Sequence, residues 1–442
     1  MTNSISIGSG SSGSGDRLAP AVALADSGLV KYMAFDCLAE RTLALAQMRR
    51  YEDDSAGYEP RLRRITERLA PFIGRGGRLI GNFGAANPDA GAREVVGALR
   101  DNGLGGTKVG IIRGDDVLKQ VLQEDLELPE MCCRVSDPSL DVVSANAYIG
   151  AEPIVELLQQ DVGVVVGGRL ADPSLYVGPI CHELGWEMDD WKRLGVATVA
   201  GHILECGMHA SGANYADPPY RTVPRIHDLG FPFATISDDE TIVVSKDPKA
   251  GGLVNEMTVK LQLLYEVHDP GSYLTPDVTA DFSQLEARET SPDEVTVTGG
   301  SGNRRPHLLK VLVGLNRGWK VTAEVSYGGP GCVERAQLAA DSFMKRLEPL
   351  SSEILETRFD MHGAGALFST ALGSTPSDVR LRVAARVATR EAAEAFAEEG
   401  NFLYFDVAGG GGVTTSIARA IGVTPGFIPR ESISIETEVL VP

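Results

Sequence analysis

From residue 4 to about 170, short β-rich runs alternate with longer helical runs. This is the pattern of βα units laid on a parallel sheet. The expected strands are 4–8, 30–36, 78–81, 108–113, 141–148 and 162–168, and the expected helices are 18–27, 40–50, 60–72, 90–101, 117–125 and 151–160. The run from Val162 to Gly168 is continuously apolar, as expected of a strand covered on both faces. A further helix is predicted over 191–210, and the stretch after Gly212, rich in Pro, Asp and Tyr, reads as irregular. A second composition begins near Thr241, with a β-rich run, Gly251-Gly252, a helix over 255–267 and a connector over 269–290. From 293 the order becomes three strands (295–298, 307–313, 319–327), a helix (333–346), two strands (354–360, 379–387), a helix (390–398) and two strands (403–407, 433–441). That order suits a split α+β layer of ferredoxin-like type. The expected fold class is therefore α/β, with a parallel-sheet domain over 1–240 that carries the active site and a smaller α+β domain over 241–442. No internal repeat with a period of about 20–50 residues is visible.

Composition narrows the functions available. The 442 residues suit two or three domains, and 41 Lys+Arg against 60 Asp+Glu give a net charge of −19. Such an acidic balance argues against nucleic-acid or membrane-surface partners, which need clustered Lys and Arg, but it permits a local Arg-lined pocket for a small anion. No stretch approaches the ~20 apolar residues of a membrane span. The N-terminus lacks a basic segment followed by an apolar one, so no secretory signal is expected. The six cysteines form no C-x-x-C pair, which fits reduced thiols in a cytoplasmic protein.

Ligands bind outside the carboxyl ends of the strands in parallel α/β sheets, so the residues just past each expected strand are the first candidates. They are the tract Gly8–Arg17 with Ser9, Gly10, Ser12, Gly13 and Asp16; then Asp36, Cys37, Glu40 and Arg41; then Asn82 and Asn87; then Arg113 to Asp116; then Asn146 and Tyr148; and finally Arg169 and Asp172. A Gly-rich loop opening a helix offers free amides and the positive end of the helix dipole to a phosphate or carboxylate. Gly8, Gly10 and Gly13 also match Gly-x-Gly-x-x-Gly, with Asp36 closing the next strand, which brings NAD into consideration; a flexible turn in a Gly/Ser tract is the competing reading. No cofactor is assigned. His202, Cys206 and His209 fall on one face of the expected helix beside Glu205, so a metal held by His202 competes with a core helix of hydrogen-bonded histidines. Cys37 would serve as a nucleophile only with a base nearby. The glycines of 409–412, followed by Thr414, Thr415, Ser416 and an expected helix, form a second anion-binding candidate, although such tracts more often make tight corners.

Several blocks together resemble the acyclic terpene utilisation protein A (AtuA) family. They are Ser9-Gly-Ser-Ser-Gly-Ser-Gly-Asp-Arg17, Phe35-Asp-Cys-Leu-Ala-Glu-Arg, Gly81-Asn-Phe-Gly-Ala-Ala-Asn-Pro88, Gly167-Gly-Arg-Leu-Ala-Asp-Pro173, Gly201-His-Ile-Leu-Glu-Cys-Gly207, Ala216-Asp-Pro218, Gly251-Gly-Leu253 and Gln262-Leu-Leu-Tyr-Glu-Val-His-Asp-Pro270. They occur in order along nearly the whole chain. The resemblance implies a catabolic enzyme, linked in the family to degradation of citronellol-type terpenes and to cleavage of a branched 3-hydroxyglutaryl-CoA. Members often carry an extra small C-terminal domain or work with a small partner protein; this sequence ends at Pro442 without such a domain, so a small partner is an expectation. His209 also departs from the family pattern at the end of its helix, leaving His202 and Glu205 in the matching block.

The expected activity is that of a lyase, cleaving a C–C bond or adding and removing water, on a branched hydroxy acid or its CoA thioester. Asp36 or Glu205 would be base or acid, and Arg17, Arg41 and Arg169 would clamp a carboxylate or phosphate. Asn82, Asn87 and the amides of 8–15 would hold an enolate oxygen, and Arg169→Ala would remove activity while leaving folding intact. A nucleotide-dependent oxidoreductase and a non-catalytic subunit are the alternatives. A homo-oligomer is expected for an enzyme of this size.

Overall fold

The computed structural model describes residues 3–367, 376–404 and 409–441. The chain begins with β1 (Ser4–Ser12), α1 (Leu18–Asp26), β2 (Tyr32–Asp36), α2 (Glu40–Glu52), α3 (Leu62–Gly74), β3 (Arg78–Gly81), α4 (Pro88–Asp101) and β4 (Val109–Arg113). It continues through α5 (Leu118–Gln123), β5 (Glu127–Leu128), β6 (Cys133–Arg134), β7 (Val142–Ala147), α6 (Glu152–Gln159), β8 (Val164–Gly167), α7 (Ser174–Leu184) and α8 (Trp191–Glu205). Next come β9 (Pro232–Ser237), β10 (Ile242–Lys246), α9 (Glu256–Leu264), β11 (Tyr273–Leu274), β12 (Thr279–Asp281), β13 (Glu286–Ser291), β14 (Glu294–Thr298) and β15 (Ser301–Asn303). The last elements are β16 (Leu308–Gly328), α10 (Cys332–Arg346), β17 (Ile354–His362), β18 (Asp378–Val387), α11 (Arg390–Asn401), β19 (Gly411–Pro429) and β20 (Glu436–Leu440).

The chain divides into a larger unit, Met1–Asp137 with Val143–Val313 and Val423–Pro442, and a smaller one, Pro138–Val142 with Gly314–Gly422. A boundary at residue 240, expected from composition, falls instead in the tight connection between β9 and β10, which pair with each other in one sheet. The strands on either side of that connection are both antiparallel extensions of the same sheet, so the change in composition there does not mark the end of a folding unit.

The larger unit is built on a ten-stranded sheet of order β13-β14-β10-β9-β1-β2-β3-β8-β4-β20. Its centre, β1-β2-β3-β8-β4, is parallel, and antiparallel strands extend it on both sides. β2 shows why both faces are covered: Met33 and Phe35 point into one cluster with α1, α3 and α4, while Tyr32 and Ala34 point into another with α6, α7 and α8. Alternate residues of a strand face opposite ways, so a strand with two apolar faces is stable only between two helical layers. α7 escaped the sequence reading because nine of its eleven residues are buried, which erases the amphipathic stripe that marks a surface helix. β9 lay hidden in the stretch read as irregular.

In the smaller unit the order is β16-α10-β17-β18-α11-β19, and the sheet order is β17-β18-β16-β19. α10 and α11 contribute Ala336, Ala340, Phe343, Phe396 and Ala393 to a core with Val321, Val325, Leu381 and Val383. The segments 307–313 and 319–327, read as two strands, form one continuous strand. The helix expected after Ser416 is part of β19. Of the expected strand at 403–407, Phe402–Tyr404 forms a 3₁₀ turn, and the remainder lies outside the described residues.

A small sheet of order β11-β12-β15 lies on α8. A Cβ added at Gly195 of α8 would sit 1.9 Å from the carbonyl oxygen of Ser301, and one at Gly302 would sit 2.6 Å from that of Trp191. Here glycine is required for close approach of two backbones. Gly195→Ala gains about 1 kcal/mol of helix propensity, but it forces a backbone carbonyl aside, and overpacking of this kind costs roughly 1–3 kcal/mol. We expect a net loss of stability in urea unfolding; increased stability would contradict the contact.

Candidate functional site

The parallel strands deliver a group of polar side chains to their carboxyl ends. Asp36 closes β2, and its Oδ1 accepts hydrogen bonds from Asn82 Nδ2, just past β3, at 2.7 Å and from the Leu38 amide at 3.1 Å. Asn82 Oδ1 in turn accepts from the Cys37 amide at 2.6 Å. Past β8, Arg169 is only 1% exposed although it is one of the longest polar side chains. Its Nη1 donates to Asp172 Oδ1 at 2.6 Å and to the Leu170 carbonyl at 2.9 Å, and its guanidinium lies 4.0 Å from the centre of the Tyr148 ring. Its Nε has no hydrogen-bond partner among the described residues.

The turn that aims Arg169 rests on a second buried carboxyl. Asp115 Oδ2 accepts from the Arg169 amide at 2.9 Å and from Asn146 Nδ2 at 2.8 Å. A Cβ at Gly168 would fall 2.1 Å from Asp115 Oδ1, so only glycine fits above it. Burial pushes the Asp115 carboxyl up to about 6, against the lowering effect of the Arg169 amide.

α8 packs against β1 and β2 and brings Glu205 and His202 to the same region. His202 Nδ1 lies 2.9 Å from Glu205 Oε1, while His202 Nε2 and Glu205 Oε2 have no hydrogen-bond partner among the described residues. Burial raises Glu205 to about 7, opposed by its hydrogen bond with His202, and Asp172 and Glu266 add like charge. Asp36 is also held well above the usual carboxylate range, first by burial and then by Asp172. Ser9 is fully buried in β1 near the Tyr176 hydroxyl, which itself senses Asp36 and Glu205. A cavity of about 880 Å³ opens beside this cluster. Glu40, Tyr148, Asp172, Glu266, Tyr273 and Lys310 form its polar wall, and Leu308, Leu309, Pro276 and Phe427 form an apolar one.

The structure therefore brings Ser9, Asp36, Asn82, Arg169, Asp172, His202 and Glu205 together and leaves other expected residues apart. Arg17 donates to the His227 carbonyl at 3.2 Å, and Arg41 is exposed. Arg113 is engaged by Asp89 and Glu438. Asn87 caps α4, its Oδ1 accepting from the Ala90 amide. Asn146 supports Asp115.

The Gly-rich tract is not an open anion loop. β1 runs to Ser12, with Gly8 and Gly10 inside the strand, where a Cβ would strike Leu24 and the Phe35 ring. Past the strand, Asp16 fills the cradle itself: its carboxylate accepts from the Ser12 amide and hydroxyl at 3.0 Å each and from the Arg17 amide at 2.7 Å. The Gly13 amide is taken by Ser11 Oγ at 3.3 Å.

The metal reading fails for a similarly local reason. α8 ends at Glu205, so His209 sits in a separate 3₁₀ turn off the expected helical face, next to Asn214 and Tyr265. Among the described residues no three His, Cys, Asp or Glu side chains are placed to hold a metal ion. Burial, with Glu59 adding like charge, raises the Cys37 thiol well above its ordinary value and argues against a nucleophile there. Arg169→Ala, expected to spare folding, would leave Asp36 and Asp172 without their buried cation, so that substitution tests stability as much as chemistry. Tyr273, Glu266 and Lys310 were missed because they come from the expected connector, the end of the expected helix before it and a strand of the C-terminal half, far in sequence from the residues they join.

The family profile described as acyclic terpene utilisation family protein AtuA matches residues 5–439. No curated protein matches the chain. Among solved structures, a homoserine dehydrogenase from Thiobacillus denitrificans aligns at 10% identity over 89% of this chain and 83% of that one, with a TM-score of 0.15, too low to carry any argument. No helix among the described residues is long and apolar enough to cross a membrane.

The raised carboxyls set a direction for stability. Glu205 at about 7 and Asp115 at about 6 hold protons in the native state that the unfolded chain releases near pH 4. Their favourable contribution is complete below that point and is lost as pH rises through 6 to 7. Thermal unfolding should therefore occur at lower temperature at pH 8 than at pH 5, with a smaller difference in Glu205→Gln. An unchanged difference in that variant would contradict the assignment.

Proposed function

The chain belongs to the acyclic terpene utilisation (AtuA) family, and from that premise we propose that it is a catabolic lyase acting on a branched hydroxy acid or its CoA thioester. The observation that carries the proposal is a carboxyl held near neutrality, Glu205, within a buried cluster that reaches a cavity through Asp172. A group with a pKa close to the working pH can both take and return a proton, which is what general acid–base catalysis requires.

C–C cleavage of a 3-hydroxy acyl group makes three demands. A base removes the hydroxyl proton, the bond between C2 and C3 breaks with its electrons passing into an enolate, and an acid protonates the enolate carbon. Glu205 supports the proton steps. Asp36, its carboxyl pushed up by burial, and Asn82 form a fixed hydrogen-bonded unit behind Arg169. The Arg169–Asp172 pair orients the inner wall of the cavity, and Lys310, 3.7 Å from Glu40, offers a cation to a substrate carboxylate. The apolar wall suits a branched alkyl group. Dehydration would use the same base at C2 and the same acid at the departing hydroxyl. The amides that a nucleotide-binding reading needs are already taken by Asp16, which leaves that alternative without support.

The test uses the full chain with 3-hydroxy-3-methylglutaryl-CoA and 3-hydroxy-3-methylglutarate as probes and mass spectrometry of the products. The unsubstituted chain should turn over at least one of them. Glu205→Gln should lower kcat by about 10²–10⁴-fold with an unchanged circular dichroism spectrum. No turnover of either probe, or a variant within about twofold of the unsubstituted chain, would overturn the proposal.

A further inference from the structure

Glu205 and His202 do not themselves line the cavity, whereas Tyr273 does. Tyr273 Oη lies 3.5 Å from His202 Nδ1, the nitrogen that faces Glu205 Oε1 at 2.9 Å. We infer that the Tyr273 hydroxyl is the cavity-facing end of the His202–Glu205 pair, the group through which that pair exchanges a proton with a bound ligand.

The position of the ring is fixed from three sides. Its centre lies 5.2 Å from that of His202 and 5.1 Å from that of Phe282, and the Phe282 ring packs at a tilt against His202 in turn, 5.5 Å between centres. The backbone of Tyr273 pairs with Ala280, in the small sheet seated on α8. Besides His202, the titratable groups that act on the hydroxyl are Glu205 and Cys206 at the end of α8, Asp172 past β8 and Glu266 past α9, all of them acids. Burial first and these acids second hold the phenol well above its ordinary value, so it presents a neutral hydroxyl to the cavity.

The transfer balances. Tyr273 gives its proton to the developing anion of the ligand; protonated Glu205 then gives its own to Nδ1, and Nδ1 passes one to the phenolate. The net change is one proton from Glu205 to the ligand, and running it backwards removes a proton from a ligand hydroxyl. The catalytic consequence rests on the lyase reading; the path itself does not.

Two measurements on the full chain separate them. In protein labelled with ¹⁵N-histidine, the ring ¹⁵N resonances of His202 are recorded at pH 7. Tyr273→Phe should displace the Nδ1 resonance, whereas Tyr265→Phe, beside His209, should not. Should Tyr273→Phe fold poorly, 3-fluorotyrosine placed at 273 keeps the ring, makes its hydroxyl a stronger acid and should displace the same resonance. An Nδ1 resonance unmoved by these replacements would overturn the inference. In turnover of the probes, Tyr273→Phe should lower kcat by about 10²-fold with KM unchanged. An unaltered kcat would overturn the inference while leaving the lyase reading standing. Failure of the unsubstituted chain to turn over any probe would end the lyase reading, and the His202 resonances alone would then decide the path.

Discussion

One buried guanidinium, that of Arg169, faces more carboxyl groups than it can neutralise. Asp172 pairs with it directly, Asp36 lies within its field, and Glu205 senses Asp172. Taking several carboxylates out of water beside a single cation is unfavourable enough that some of them keep their protons. The same imbalance that costs stability at high pH therefore supplies groups able to exchange protons near neutrality. Asp36 and Glu205 are two outcomes of this constraint, the first held well above the usual carboxylate range and the second raised to about 7.

The fold creates this imbalance through its topology. β8 enters the sheet between β3 and β4, so the turn bearing Arg169 emerges beside the end of β3, with Asp36 one strand further on. Asp115 holds that turn from below by its amide, and the absence of a side chain at Gly168 lets the two approach. From the opposite helical layer, α8 presents Glu205, and the backbone contact at Gly195 seats the small sheet that carries Tyr273. Three separate stretches of chain thus meet around one cavity.

Much of the first half was legible in the sequence. β3 lies where its apolar run placed it, and Asp36, Asn82, Arg169 and Asp172 were found simply as the polar residues that follow parallel strands. Other features were hidden for identifiable reasons. The Gly/Ser tract suggested a loop because glycine is common in loops, but Gly8 and Gly10 are strand residues that make room for Leu24 and Phe35. Asp16 converted an anion cradle into a self-satisfied turn, something no spacing rule reveals. The helix bearing His202 stops at Glu205, so a face drawn through His209 does not exist. Tyr273 and Lys310 reach the site only through tertiary structure, and a one-dimensional pattern carries no trace of that.

The site depends on carboxyl protons that the cluster retains at neutral pH. Infrared spectroscopy observes this directly, since a protonated carboxyl carbonyl absorbs apart from a carboxylate. At pH 7 the unsubstituted chain should show such a band, diminished in Asp36→Asn and diminished again when Glu205→Gln is added. A spectrum at pH 7 with carboxylate bands alone, or a protonated band untouched by both substitutions, would contradict the account.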